Sequence, residues 1–133
     1  MTAIENIYTA TGELAYAIAK ADGTIQREEK EKFQKILEDE FNGRIGTSNH
    51  ASIIFQILQK EKISSKDAYS YALHELNNNS HYLSPEMKEH IIHVIERVAK
   101  AFPPKVHEES AIIKQFIIDV NNIKVDATLS KGL

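Results

Sequence analysis

Apolar residues recur along nearly the whole chain at the three- and four-residue steps of an α-helix. Ile4, Ile7, Leu14, Ala15, Ile18 and Ala21 predict a first helix, with a break near Gly12. Phe33, Ile36, Leu37 and Phe41 form a second stripe, which ends at the glycines and polar residues of "FNGRIGTSN". "HASIIFQILQKEKI" predicts a shorter helix, although its run Ile53-Ile54-Phe55 also suits a strand. The next helix is capped by Ser64 or Ser65 and turns Ala68, Tyr69, Ala72, Leu73 and Leu76 inward, and "NNNSHY" reads as a loop. In "SPEMKEHIIHVIERVAKAF", Ser84 is the expected N-cap. Pro85 takes the first helical position, where its missing N–H has no intrahelical partner to lose. Ile91, Val94, Ile95, Val98 and Phe102 are that helix's stripe, and Pro103 and Pro104 end it. A last helix starts near Glu108, with Ile112, Ile113, Phe116, Ile117 and Val120 inward. Residues 122–133 read as a tail, either frayed or packed back through Ile123, Val125 and Leu129. There is no alternation of strand and helix. The pattern predicts an all-α, compact bundle of about six to seven helices in one domain over residues 1–133.

The pattern repeats. A shift of 58 residues carries Leu14, Ala15 and Ile18 onto Ala72, Leu73 and Leu76, and Ile25 onto Leu83. The same shift carries Glu28 onto Glu86, Lys30 onto Lys88, and Phe33, Ile36 and Leu37 onto Ile91, Val94 and Ile95. Each half reads as a helix, a tight turn with one apolar plug, and a capped helix, so the bundle is expected to consist of two diverged helical hairpins. "KVHEESAIIKQFIIDV" is a fainter third echo.

The first hairpin carries the most suggestive chemistry, "ADGTIQREEKEKF". Asp22, Gly23, Thr24 and Glu29 match the second half of an EF-hand calcium loop. The first and third ligand positions of such a loop fall on Ile18 and Lys20, which excludes the EF-hand itself. A helical joint accounts for most of the motif. Gly23 suits the positive φ past a helix end, Ile25 plugs the gap between helices, and Glu29 lies three residues past the expected cap Gln26, within reach of its N–H. Asp22 is left over. A carboxylate there faces the negative end of the helix dipole, so a lysine, solvent or a bound cation must offset it.

Composition narrows the function classes. The chain has 133 residues, a net charge of −3 and no cysteine, which removes disulfides and thiolate metal sites. The basic residues are spread out, so no nucleic-acid patch is evident. "MTAIENIYTA" lacks the basic start and apolar run of a signal peptide. No apolar run approaches the ~18 residues of a membrane span. The expected setting is cytoplasmic, without membrane insertion.

At the acidic turn the chain resembles the TerB-like family, found in tellurite-resistance proteins and ahead of the J-domain in membrane-anchored DnaJ-like co-chaperones. The resemblance rests on Ala17-Ile18-Ala19-Lys20-Ala21-Asp22-Gly23-Thr24-Ile25 followed by Glu28-Glu29, with "YLSPEMKEHIIHVIERVAKAF" as a second copy. Together the copies cover most of residues 4–102. The resemblance implies an all-helical bundle, and a divalent-cation site that falls by position on Asp22, Glu28 and Glu29. The family often repeats its Asp-Gly in the second copy, where this chain has Ser80-His81, so a second acidic corner is missing. A stress-related setting accompanies the family, although tellurite resistance itself is not implied.

Other chemistry is sparse. His90 and His93 share a helix face beside Glu89, but no Glu-x-x-His or His-Glu-x-x-His motif exists, and His93, opposite the apolar stripe, reads as solvated. A site joining Asp22 to His81 requires the two turns to meet in space. There is no Gly-x-Ser-x-Gly elbow and no glycine-rich phosphate loop, so no catalytic residue is assigned. The leading expectation is a non-enzymatic module that binds a divalent cation, a protein partner, or both. The rivals are an interaction or oligomerisation adapter without metal, and a small-molecule-binding or hydrolytic bundle. The last requires a deep apolar pocket with convergent polar groups.

Overall fold

Helix α1 (Ala3–Lys20) is the axis around which the chain is wrapped. In the computed structural model, which describes residues 2–21, 25–41, 50–101 and 107–124, every residue from Ile7 to Ala19 except Thr9 is buried. A helix apolar on all sides must be covered on all sides. The cover comes from α3 (His50–Lys60), α4 (Ser65–Asn78), α5 (Pro85–Ala101) and α6 (His107–Asn122). Thr2 opens α1 with a capping box. Its hydroxyl accepts from the Glu5 N–H at 3.2 Å, and its own N–H donates to the Glu5 carboxylate at 3.0 Å.

The expected break at Gly12 does not occur, and α1 runs straight through it. The glycine answers to a neighbour instead. A Cβ at position 12 would lie 2.4 Å from the carbonyl oxygen of Ala51 and 2.5 Å from Ile54 Cγ2, so α3 packs against bare backbone. Helix α2 (Arg27–Phe41) closes the same corner. Phe33 stacks on Phe55 of α3 at 4.1 Å between ring centroids, and Tyr16 of α1 meets Phe55 edge-on at 5.5 Å. Phe33 and Ile36 are buried as their stripe predicts, while the side chains of Leu37 and Phe41 and residues 42–49 lie outside the described residues.

The run Ile53-Ile54-Phe55 is helical, and no strand occurs among the described residues. Ala51, Phe55 and Leu58 face the core at helical spacing. Helix α3 ends in a Schellman turn, in which the Ile63 N–H donates to the Leu58 carbonyl at 3.1 Å and the Lys62 N–H to that of Gln59 at 3.2 Å. The turn forces Lys62 to φ 57°, a region a side chain with a Cβ enters at a cost. Lys62→Gly is therefore expected to stabilise the protein by roughly 0.5–1 kcal/mol. Urea denaturation measures this, and an unchanged or lowered midpoint would show the turn to be relaxed already.

"NNNSHY" is not a loop. Helix α4 continues through Asn78, and Ser80–Tyr82 makes a 3-10 turn. Ser64 is the N-cap of α4, its hydroxyl accepting from the Asp67 N–H at 3.1 Å, and Ser84 does the same for α5 through Met87. Phe102, Pro103 and Pro104 lie outside the described residues. In α6, Phe116 and Val120 are buried, and Ile123 just beyond it is buried too, so the tail begins by packing back. The Lys88 ammonium donates to the Ile123 carbonyl there. Val125 and Leu129 lie outside the described residues.

The element boundaries follow the same 58-residue shift as the sequence. The 58-residue shift carries the end of α1, Lys20, onto the end of α4, Asn78, and the start of α2, Arg27, onto that of α5, Pro85. Helices α1 and α4 lie side by side and antiparallel. The Ser65 hydroxyl donates to the Ala17 carbonyl at 2.7 Å, and at the other end Asn6 Nδ2 lies 3.4 Å from Asn79 Oδ1.

Candidate functional site

The acidic turn links α1 to α2. Ala21 closes α1 with its N–H on the Ile18 carbonyl, and Ile25 packs partly buried against the core, the plug its sequence position predicts. The Gln26 carbonyl accepts the first intrahelical bond of α2 from Lys30 at 3.1 Å, which makes Gln26 the cap. Its N–H donates to Glu29 Oε1 at 2.8 Å. Glu29 is thus only 9% exposed and serves the helix, while Glu28 beside it is exposed. Asp22, Gly23 and Thr24 lie outside the described residues. Among the described residues no three His, Cys, Asp or Glu side chains gather as metal ligands.

The donor chemistry fits a hard cation held loosely. Carboxylate oxygens and helix-end carbonyls are what calcium or magnesium takes. One carboxylate faces outward and the other is engaged as a cap, which leaves most of a coordination shell to Asp22 and water. No caged site can be built from this set.

The turn at His81 does not join it. Asn79 sits against Asn6 near the start of α1, whereas Ala21 is at its end, ~22 Å away along the helix at 1.5 Å per residue. The antiparallel packing of α1 and α4 puts the two turns at opposite ends of the bundle, so a mixed site of Asp22 and His81 finds no support. His81 instead lies edge-on to Tyr82. His93 is exposed, as its place opposite the stripe predicts, yet its Nε2 lies 2.9 Å from Glu40 Oε1. Arg97 completes this seam between α2 and α5, at 3.0 Å from Asp39 and 3.3 Å from Glu40.

Beside the end of α1 opens an apolar cleft of about 680 Å³, lined by Ala21, Ser65, Tyr69, Ile112 and Gln115 among others. Three of its polar groups are spent within the fold, while Lys66 and Ser70 also line it. Tyr69 donates to Asp119 Oδ2 at 2.5 Å, Gln115 donates to Asp119 Oδ1 at 2.9 Å, and Ser65 is committed to Ala17. The Tyr69 hydroxyl is held well above its ordinary pKa by burial, with Asp119 adding to the rise.

Sequence reasoning passed over Glu13. It is the one charged residue between Glu5 and Lys20, a signal that was available, because a lone carboxylate in an apolar helix must go somewhere dry. It is 7% exposed, and its Oε1 has no hydrogen-bond partner. Burial, with a smaller push from the neighbouring charge of Glu75 on α4, lifts its pKa to about 7.

The family model described as tellurite resistance protein TerB matches residues 9–121. No curated protein and no solved structure matches the chain. The match begins in α1 and ends in α6, so it takes in both hairpins and the turn whose Ala-Asp-Gly and Glu-Glu first suggested it. A likeness that reaches from the first helix to the last, on the all-helical bundle that likeness implied, settles the matter of kinship: this chain belongs to the TerB family.

Proposed function

We propose that residues 1–133 act as one non-enzymatic TerB-like binding module, with a divalent cation at the α1–α2 turn and a protein partner as its ligands. The supporting observation is Glu28, which is exposed at the start of α2 without an ion pair to a described residue, beside Glu29 held in place by Gln26. Asp22 stands directly after Ala21, where the carbonyl end of α1 adds negative potential. The amide end of α2 opposes a cation, so binding is weak, on the order of 0.1–1 mM for calcium. The commitment of Tyr69 and Gln115 to Asp119 favours a binder over a catalyst, since it takes two of the cleft's described polar groups out of reach of a substrate.

Titration of the 15N-labelled protein with manganese tests the cation site. The expected result is paramagnetic broadening centred on the amides of residues 21–29, reversed by excess calcium and lost in Asp22→Asn/Glu28→Gln. Broadening elsewhere, or equal broadening in the double variant, would remove the cation from this turn.

A further inference from the structure

Helix α3 carries two isoleucines that its packing covers only in part. Ala51, Phe55 and Leu58 fill the core side and Ile54 packs on Gly12, while Ile53 and Ile57 stand 54% and 44% exposed. They are four residues apart, so they adjoin on one face of the helix. Isoleucine is a poorer helix former than leucine, lysine or glutamate. About half of each side chain is left in water, and propensity does not favour isoleucine there either. The pair borders a shallow cleft of about 480 Å³ between α2 and α3, whose other lining residues are Lys30, Gln56, Gln59 and Lys60. No carboxylate lines it among the described residues. Lys30 and Lys60 make no ion pair with a described residue, whereas the nearby Arg27 has its charge met by Glu31 at 3.5 Å.

We propose that this cleft docks an acidic amphipathic helix of a protein partner, its aliphatic anchors on Ile53 and Ile57 and its carboxylates on Lys30 and Lys60. Two exposed aliphatic side chains flanked by two unmatched cations in a groove between helices fit a third helix with the opposite charge. An anionic bilayer fits less well, because the cleft is concave and the chain carries a net charge of −3. The inference rests on the binding-module reading but uses a surface other than the acidic turn, so each can fail alone.

The probe is a fluorescein-labelled, alanine-based helix of about 16 residues, with two leucines four apart flanked by glutamates, followed by anisotropy in EDTA to keep the cation question apart. Saturable binding is expected, with the lysine-flanked version of the peptide about ten-fold weaker. Ile57→Glu and, separately, Ile53→Glu are expected to weaken binding by about ten-fold or more. Both positions are exposed, so circular dichroism should show the fold unchanged. In Lys30→Glu/Lys60→Glu the preference should reverse toward the lysine peptide. No saturable binding of the glutamate peptide, equal affinity for both peptides, or indifference to Ile53→Glu and Ile57→Glu overturns the proposal. Flotation with phosphatidylglycerol vesicles that depends on Ile57 and is not competed by the glutamate peptide also overturns it, in favour of a membrane.

Discussion

Glu13→Gln is expected to stabilise the protein at pH 8 and to leave it nearly unchanged at pH 4. In the folded chain this carboxyl titrates near pH 7, against an ordinary value of 4.5. Between those two values the folded protein keeps a proton that the unfolded chain gives up, so stability falls as pH rises through the window, and the full loss is present above pH 7. Burial is the larger cause and the charge of Glu75 the smaller. A shift of this size corresponds to ~3 kcal/mol, and about 2 kcal/mol is the sounder expectation once water entering around the buried carboxylate is allowed for. Glutamine keeps the shape and removes the charge. The variant should therefore melt on the order of 8 °C higher than the wild type at pH 8, with the gap closing toward pH 4. Thermal denaturation at a series of pH values measures this. Parallel curves for the two proteins across the whole range would show that Glu13 finds a partner or water when ionised.

Gly12→Ala is expected to act in the opposite direction, against the ordinary rule for helices. In an exposed helix the change gains roughly 0.5–1 kcal/mol. Here the new methyl would meet the Ala51 carbonyl oxygen at 2.4 Å, the Ala51 Cα at 2.8 Å and Ile54 Cγ2 at 2.5 Å. Two of those three atoms are backbone, so rotating a side chain cannot relieve the contact and α3 must back away from α1. Overpacking of this kind costs about 1–3 kcal/mol beyond the propensity gain, and the displacement also loosens the Tyr16–Phe55–Phe33 contacts that join α1, α2 and α3. A net loss of about 2 kcal/mol in guanidinium denaturation is the expected result. A stabilised variant would mean that the two helices do not cross as closely as described.

The acidic turn was partly legible in the sequence. The joint was readable because its parts are local. Gln26, Glu29 and Ile25 lie within a few residues of one another, and the cap follows from spacing alone. Whether the His81 turn joins them could not be read, because that depends on the relative direction of α1 and α4. The seam of His93 and Arg97 with Asp39 and Glu40 also went unread, since each partner lies on a different helix and helical spacing shows only which residues share a face. The cleft beside Tyr69 and the exposed pair on α3 likewise depend on which faces the neighbouring helices leave open.

By itself the sequence determined the all-helical class, the 58-residue repeat of helix boundaries, the serine cap of α5, and the family. These rest on short-range rules of spacing, capping and propensity that act within one or two turns of chain. Tertiary structure alone decided why residue 12 is glycine, why Glu13 holds its proton near neutral pH, and why the two turns stand at opposite ends of the bundle. The physical reason is common to all three. Close approach, desolvation and relative direction arise between helices distant in sequence, and no periodicity along a single strand of chain encodes which helix will arrive, or how near.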